Sequence, residues 1–256
     1  MLNKFLSAVA LIATTALAHA QDNSEKAVRD AMHSLLPMAK IDEVVKSDLP
    51  GFYEVVVSGQ VVYISADGQY LLQGNLYNVA QKKDLTALRV ATMRGQAVQR
   101  LPDSKKMVFS PEHPKHTVTV FTDVDCPYCR QFHKQIAEFN REGIAVKYVL
   151  FPLDTIHPSA NKKAVAVWCS PDRNSAYTAA MNGQDPGTGT CPNNPVSETK
   201  ALAIAIGING TPTVLAEDGS QVDLGKASTP AALAAELDRL AAAAAGKTAG
   251  TPVASR

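Results

Sequence analysis

Residues 118–140, VTVFTDVDCPYCRQFHKQIAEFN, change their period in the middle. Val118, Val120 and Phe121 lie among threonines, which is the chemistry of a buried strand. Beyond them Cys129, Phe132, Ile136 and Phe139 recur at steps of three and four, the period of a helix. Cys126 and Cys129 sit at the junction. Pro127 suits the first helical position, where a missing backbone N–H leaves nothing unsatisfied, and Gly143 suits the end of the segment. Cys126 then stands where unpaired N–H groups and the positive end of the helix dipole favour an anion, which lowers a thiol's pKa and makes it a nucleophile.

Two cysteines three apart at a helix start can close on each other. Attack by Cys126 on a disulfide gives a mixed disulfide that Cys129, one turn further in, can resolve, so the pair reads as a dithiol/disulfide exchange centre. The competing readings are half a zinc site or an inert disulfide. Zinc needs a second pair of ligands at usable spacing, and Cys169 and Cys191 are too far apart in sequence to supply one. Neither a metal nor a cofactor is therefore expected.

Working outward, residues 1–20 read as a secretory leader. Lys4 supplies the positive n-region, FLSAVALIATTALA the apolar stretch and Ala18-His19-Ala20 a cleavage site, with removal after Ala20. The remaining chain is then exported, into a compartment that permits disulfides. Of 256 residues only four are cysteine, too few to staple a fold, so hydrophobic cores must hold it. A formal net charge of +1 gives no reason to expect nucleic acid or an anionic membrane as partner.

Residues 21–80 read as a helix, SEKAVRDAMHSLLP, followed by short strands in IDEVVKSD, FYEVVVSG, QVVYISADGQYLLQG and NLYNVA, with Asp67-Gly68 as a hairpin turn. So small a sheet either fills its own core or leaves an edge for a second copy, and a symmetric dimer is the simplest closure. Residues 81–105 read as a linker helix, with Asp84 a candidate N-cap, followed by an extended connector. The second domain spans 106–246. After Gly143, GIAVKYVLFPL is a continuous apolar run suited to a buried strand, and strand, helix, strand at this length implies a parallel right-handed crossover. Residues 158–206 read as mostly helical. NGTPTVLAEDGSQVDLG reads as a turn, a strand, an Asp-Gly hairpin and a second strand, TPAALAAELDRLAAAAAG as a closing helix, and 247–256 as a frayed tail.

FTDVDCPYC before a long helix, followed by INGTPTV before the final hairpin and helix, resembles a thioredoxin fold with its dithiol and its cis-proline loop, Thr211-Pro212. The leader, GQVVYISADGQYLLQGNLYNV and the cysteines in AVWC and TC extend the likeness to the periplasmic protein disulfide isomerases of the DsbC type. The resemblance implies an α/β catalytic domain with a helical insertion, preceded by an α+β domain that makes a homodimer. It implies that Cys126 attacks wrong disulfides in exported proteins, that Cys129 resolves the adduct, and that Thr211-Pro212 lies against Cys126 and binds an extended substrate segment. It also implies a structural Cys169–Cys191 disulfide and a membrane thiol reductase of the DsbD type as electron donor.

The active-site dipeptide, Pro127-Tyr128, departs from the Gly-Tyr of the best-known isomerases and matches DsbG-type relatives. Those relatives lack a second cysteine pair, so Cys169 and Cys191 draw the chain back to the isomerase branch. A DsbG-like chaperone or reductase and a dithiol oxidase stand as the alternatives. Asp123 and Asp125 are close enough to tune Cys126 or relay a proton, although a carboxylate beside a thiolate should raise its pKa unless solvated. His133, a turn beyond Cys129, reads as a surface histidine.

Overall fold

The computed structural model describes residues 23–248, so the leader with its cut after Ala20 and the tail beyond 248 lie outside the described residues. The chain divides into two compact units between Thr86 and Ala87. In the first, helix α1 (23–35) packs on an antiparallel sheet of β1 (Ile41–Lys46), β2 (Phe52–Val57), β3 (Gln60–Ser65) and β4 (Leu71–Leu72), in that order. Alternation decides the face: Tyr53, Val55 and Val57 of β2 and Val62 and Ile64 of β3 share one core with Val28 and Met32 of α1. Asp67-Gly68 turns β3 into β4, with Gly68 at φ 73° and the Asp67 carboxylate accepting the Gln69 N–H at 3.0 Å. A small ribbon of β5 (Tyr77–Asn78) and β6 (Lys83–Asp84) follows.

Helix α2 (Leu85–Arg100) starts directly after Asp84, the candidate N-cap. Lys82 takes a left-handed φ of 53°, and Lys83 and Asp84 are held as a strand against Tyr77 and Asn78. From Ala87 on, α2 packs within the second unit. Its Arg94 guanidinium donates to the carbonyls of Ile206 at 3.1 Å and Gly207 at 2.9 Å, and Ala97 joins a core with Phe121, Val149 and Ile208.

Past a 3-10 turn at Asp103–Lys105 come β7 (Met107–Phe109), β8 (His116–Thr122), α3 (Pro127–His133), α4 (Ile136–Arg141) and β9 (Ile144–Leu150). Three helices follow, α5 (Ala160–Trp168), α6 (Arg173–Met181) and α7 (Val196–Ala205), then β10 (Thr213–Leu215) and α8 (Pro230–Thr248). The sheet order is β10-β8-β9-β7, with β8 and β9 parallel and both edge strands antiparallel. Being interior, β8 and β9 bury both faces, which accounts for their continuous apolar runs. The thioredoxin-like topology thus carries its helical insertion between β9 and β10. The insertion is fastened by the Thr199 hydroxyl, which donates to the Leu150 carbonyl at 2.7 Å, and by a disulfide between Cys169 and Cys191, 22 residues apart. Among the described residues no helix is long and apolar enough to cross a membrane.

Two expectations need correction. The single helix after the cysteine pair is two helices, because the chain tightens at Lys134 and Gln135 before α4 begins. The second strand of the last hairpin is only a bridge between Leu215 and Gln221. The Asp223 carboxylate accepts the Gly225 N–H at 2.9 Å and its carbonyl takes the N–H groups of Lys226 and Ala227, so local turn bonds win over the ladder.

The hairpin bend meets α2 through glycine. Gly219 holds φ 83°, and a Cβ there would sit 2.0 Å from the Ala91 carbonyl oxygen. Gly219→Ala combines a left-handed backbone with overpacking and should cost about 2 kcal/mol or more. A lowered urea midpoint checks this; an unchanged midpoint would refute the close approach.

Candidate functional site

Two pairings converge on the cysteines. Strand β8 ends at Thr122, which is paired with Leu150 of β9, and residues 123–125 lead directly into α3. Strand β10 pairs with β8 so that Thr213 lies opposite Phe121, which carries Thr211 and Pro212 past the end of β8 to the turn where Cys126 sits. The Thr211–Pro212 bond is cis, and the Thr211 carbonyl oxygen is 3.3 Å from the Cys126 sulfur. Cys126 is the N-cap of α3, with Pro127 at its first position.

Both thiols are free, and their surroundings drive them apart. The Cys126 thiol is lowered to about 5, first by the Cys129 thiol hydrogen-bonding to it, against the opposing effect of burial, and then by Thr211 and the N–H groups of Cys129 and Tyr128. The Thr211 hydroxyl is buried without a fixed partner, so it can turn toward the sulfur. Cys129, 1% exposed, is pushed well up by burial and by its bond to Cys126, against weaker opposition from the Asp123 backbone N–H and the Thr122 hydroxyl. One sulfur is thus a thiolate at neutral pH and the other a buried thiol.

The two aspartates are both occupied. The Asp123 carboxylate is buried and accepts the N–H groups of Leu153 and Asp125, each at 2.8 Å, and lies 3.0 Å from His157 Nδ1, which ties the active-site turn to the loop after β9. For Asp125, burial pushes the carboxyl up, but Lys163 Nζ at 2.6 Å, Ser159 Oγ at 2.9 Å and the Arg130 guanidinium hold it below the usual range. Its charge is largely neutralised before it can act on Cys126.

His133 is not at the surface: it is 2% exposed, with Nδ1 3.0 Å from the Tyr148 hydroxyl and Nε2 3.0 Å from Thr178 Oγ1. Burial lowers its pKa to about 4, so it is neutral at pH 7. The signal was present in the sequence, since His133 lies one turn after Cys129 on the same helix face. Tyr148, Tyr177, His157 and Lys163 also belong to this neighbourhood, and their separation in sequence gave no sign of it. Beside the dithiol, Tyr128, Gln131, Phe132, Thr211, Pro212 and Leu224 line an open groove of about 450 Å³, mostly apolar, with Tyr128 72% exposed at its rim.

Because Cys126 ionises near pH 5, its reaction with iodoacetamide should rise through about that pH and be flat from pH 7 to 8. A rate still climbing through pH 8 would contradict this environment, and the stoichiometry should be one fast thiol per chain.

Residues 18–87 match the family described as disulfide bond isomerase protein N-terminal domain, and residues 103–241 match the thioredoxin-like domain family. A thiol:disulfide interchange protein DsbC of Dickeya dadantii is 35% identical over 70% of this chain and 74% of its own length. The protein of the same name from Pasteurella multocida is 29% identical over 92% of this chain and 99% of its own. The crystal structure of a disulfide interchange protein from Neisseria gonorrhoeae, 35% identical, covers 45% of this chain and 81% of that one, with a TM-score of 0.41. With both of its units matched, and with relatives of this name aligned along most of its length, the chain belongs to the DsbC family of thiol:disulfide interchange proteins.

Proposed function

We propose that Cys126 is the attacking thiolate and Cys129 the resolving thiol of an enzyme that rearranges wrong disulfides in exported proteins. The protein is a thiol-disulfide oxidoreductase of the disulfide isomerase class. The observation that carries the residue assignment is the opposed environment of the two sulfurs, one held as thiolate and one kept protonated by burial.

The thiolate attacks one sulfur of a substrate disulfide, forming a Cys126–substrate bond and releasing the other sulfur as a substrate thiolate. If a second substrate thiol then attacks the substrate sulfur of this adduct, a new substrate disulfide forms, Cys126 leaves as thiolate and no net oxidation has occurred. If Cys129 attacks Cys126 instead, the substrate leaves with both sulfurs reduced and the enzyme holds a Cys126–Cys129 disulfide. That form needs a dithiol donor to return to work, and a membrane thiol reductase of the DsbD type is the proposed source. The apolar groove beside Thr211-Pro212 suits an unfolded segment. The Pro127-Tyr128 dipeptide supports a second reading, a DsbG-like chaperone or reductase of narrower range, or a dithiol oxidase.

Residues 21–80 are proposed as the dimerisation domain, 81–105 as a linker and 106–246 as the catalytic domain with its insertion at 158–206. Tyr70, Leu71 and Leu72 are exposed at β4, whose sole partner strand among the described residues is β3, and Tyr77 and Val79 are exposed in and after β5. An open apolar edge of this kind suits pairing with a second copy. The periplasm is the proposed compartment, from the leader and from a Cys169–Cys191 disulfide that an oxidising environment would maintain.

The reduced protein should reactivate scrambled ribonuclease, and Cys126→Ala should abolish this while sparing suppression of aggregation. Reactivation that survives in Cys126→Ala would remove the nucleophile assignment; no reactivation, with fast oxidation of a reduced peptide by the disulfide form, would favour the oxidase. In sedimentation the chain should run as a dimer, and Leu71→Lys with Leu72→Lys should yield monomers. A monomeric parent chain would overturn the two-copy assembly.

A further inference from the structure

Beside the resolving thiol stands a linked pair of buried hydroxyls that the reaction as described does not use. Thr122 closes β8 and is fully buried, and its hydroxyl lies on the side of Cys129, whose pKa it holds down against burial. Tyr177, also fully buried, reaches in from α6 of the helical insertion, with its hydroxyl 2.8 Å from Thr122 Oγ1. The pair therefore joins the insertion to the inner sulfur of the dithiol.

A hydroxyl has one proton to donate. If Thr122 gives its proton elsewhere, the sulfur loses a donor at the moment it becomes an anion. The phenol of Tyr177 can donate to Thr122 Oγ1, which leaves the Thr122 proton for the sulfur. Other titratable groups around Cys129 are committed elsewhere. The Asp123 carboxylate faces Leu153, Asp125 and His157, and the nitrogens of His133 are taken up by Tyr148 on β9 and Thr178 on α6. Burial keeps the phenols of Tyr148 and Tyr177 protonated, so Tyr177 stays a donor through neutral pH.

We propose that Tyr177 is a positioning residue for the resolving step, holding the Thr122 hydroxyl on the Cys129 sulfur, so that the insertion governs how readily the mixed disulfide is resolved by the enzyme itself. This rests on the assignment of Cys126 as nucleophile and Cys129 as resolving thiol. In the step, Cys129 gives its proton to water and its sulfur attacks Cys126. The Cys126–Cys129 bond forms, the bond between Cys126 and the substrate sulfur breaks, and the departing thiolate takes a proton from water. The substrate sulfur is reduced and the dithiol oxidised, so no further oxidant is required. Stabilising the developing Cys129 anion speeds this branch against release by a second substrate thiol, which does not involve Cys129.

The test uses the full reduced chain and an aromatic disulfide, 5,5′-dithiobis(2-nitrobenzoate), in stopped flow. Attack by Cys126 releases one coloured thiol and resolution by Cys129 releases a second, so the two steps are read separately. Tyr177→Phe keeps the ring and removes the hydroxyl; it should leave the first phase within about twofold and slow the second by about tenfold, the scale of a lost hydrogen bond to a charged group. The midpoint of the second phase against pH should move upward. Thr122→Val should act alike, and Thr122→Ser, which restores a hydroxyl, should recover most of the rate. Equal second phases in Tyr177→Phe and the parent, or slowing of both phases together, would overturn the inference alone. A parent chain that releases no second thiol would overturn the assignment of Cys129 as well.

Discussion

The parallel pairing of β8 with β9, from His116 opposite Ile144 to Thr122 opposite Leu150, is what the rest of the second unit hangs on. It forces a crossover, and α3 and α4 form that crossover, so the end of β8 must open into a helix start at one edge of the buried sheet. It also places the loop after β9 within reach of residues 123–125, where the Asp123 carboxylate locks the two loops together through Leu153 and His157. Burial of both strands on both faces makes the arrangement rigid, because slipping the register by one residue would exchange the two faces of each strand against their cores. The dithiol inherits that rigidity.

On this frame the two sulfurs acquire different chemistry from the same residue type. Cys126 is at the opening of the helix with donors around it, and Cys129 is a turn deeper where desolvation dominates. The neighbouring charges are arranged so as not to spoil the difference. Lys163, Ser159 and Arg130 absorb the charge of Asp125, and burial keeps His133 neutral at pH 7. The helical insertion contributes to the inner side of this site through Tyr177 and Thr178, and to its outer side through Ser159 and Lys163.

What was legible along the chain was legible because it is local. The change from strand to helix period around Cys126 and Cys129, the Asp67-Gly68 hairpin and the unbroken apolar run of β9 each depend on neighbours within a few residues. The misreadings share the opposite character. His133 was taken for a surface residue because its burial comes from Phe109, Tyr148 and Tyr177 on other elements. The strand after Asp218-Gly219 was overestimated because Asp223 offers the backbone a competing set of turn bonds.

Period, turn residues and cysteine spacing are short-range properties, and by themselves they determined the position of the dithiol at a strand-to-helix junction and the presence of a separate small unit before it, while the likeness of FTDVDCPYC and INGTPTV to a known family supplied the thioredoxin-like class. Only the tertiary structure decided that α2 packs within the second unit from Ala87 on, that His133 is buried, and that Tyr177 of the insertion reaches Thr122 at the end of β8. Those outcomes follow from strand register and from desolvation, which arise only when segments remote in sequence exclude water from one another.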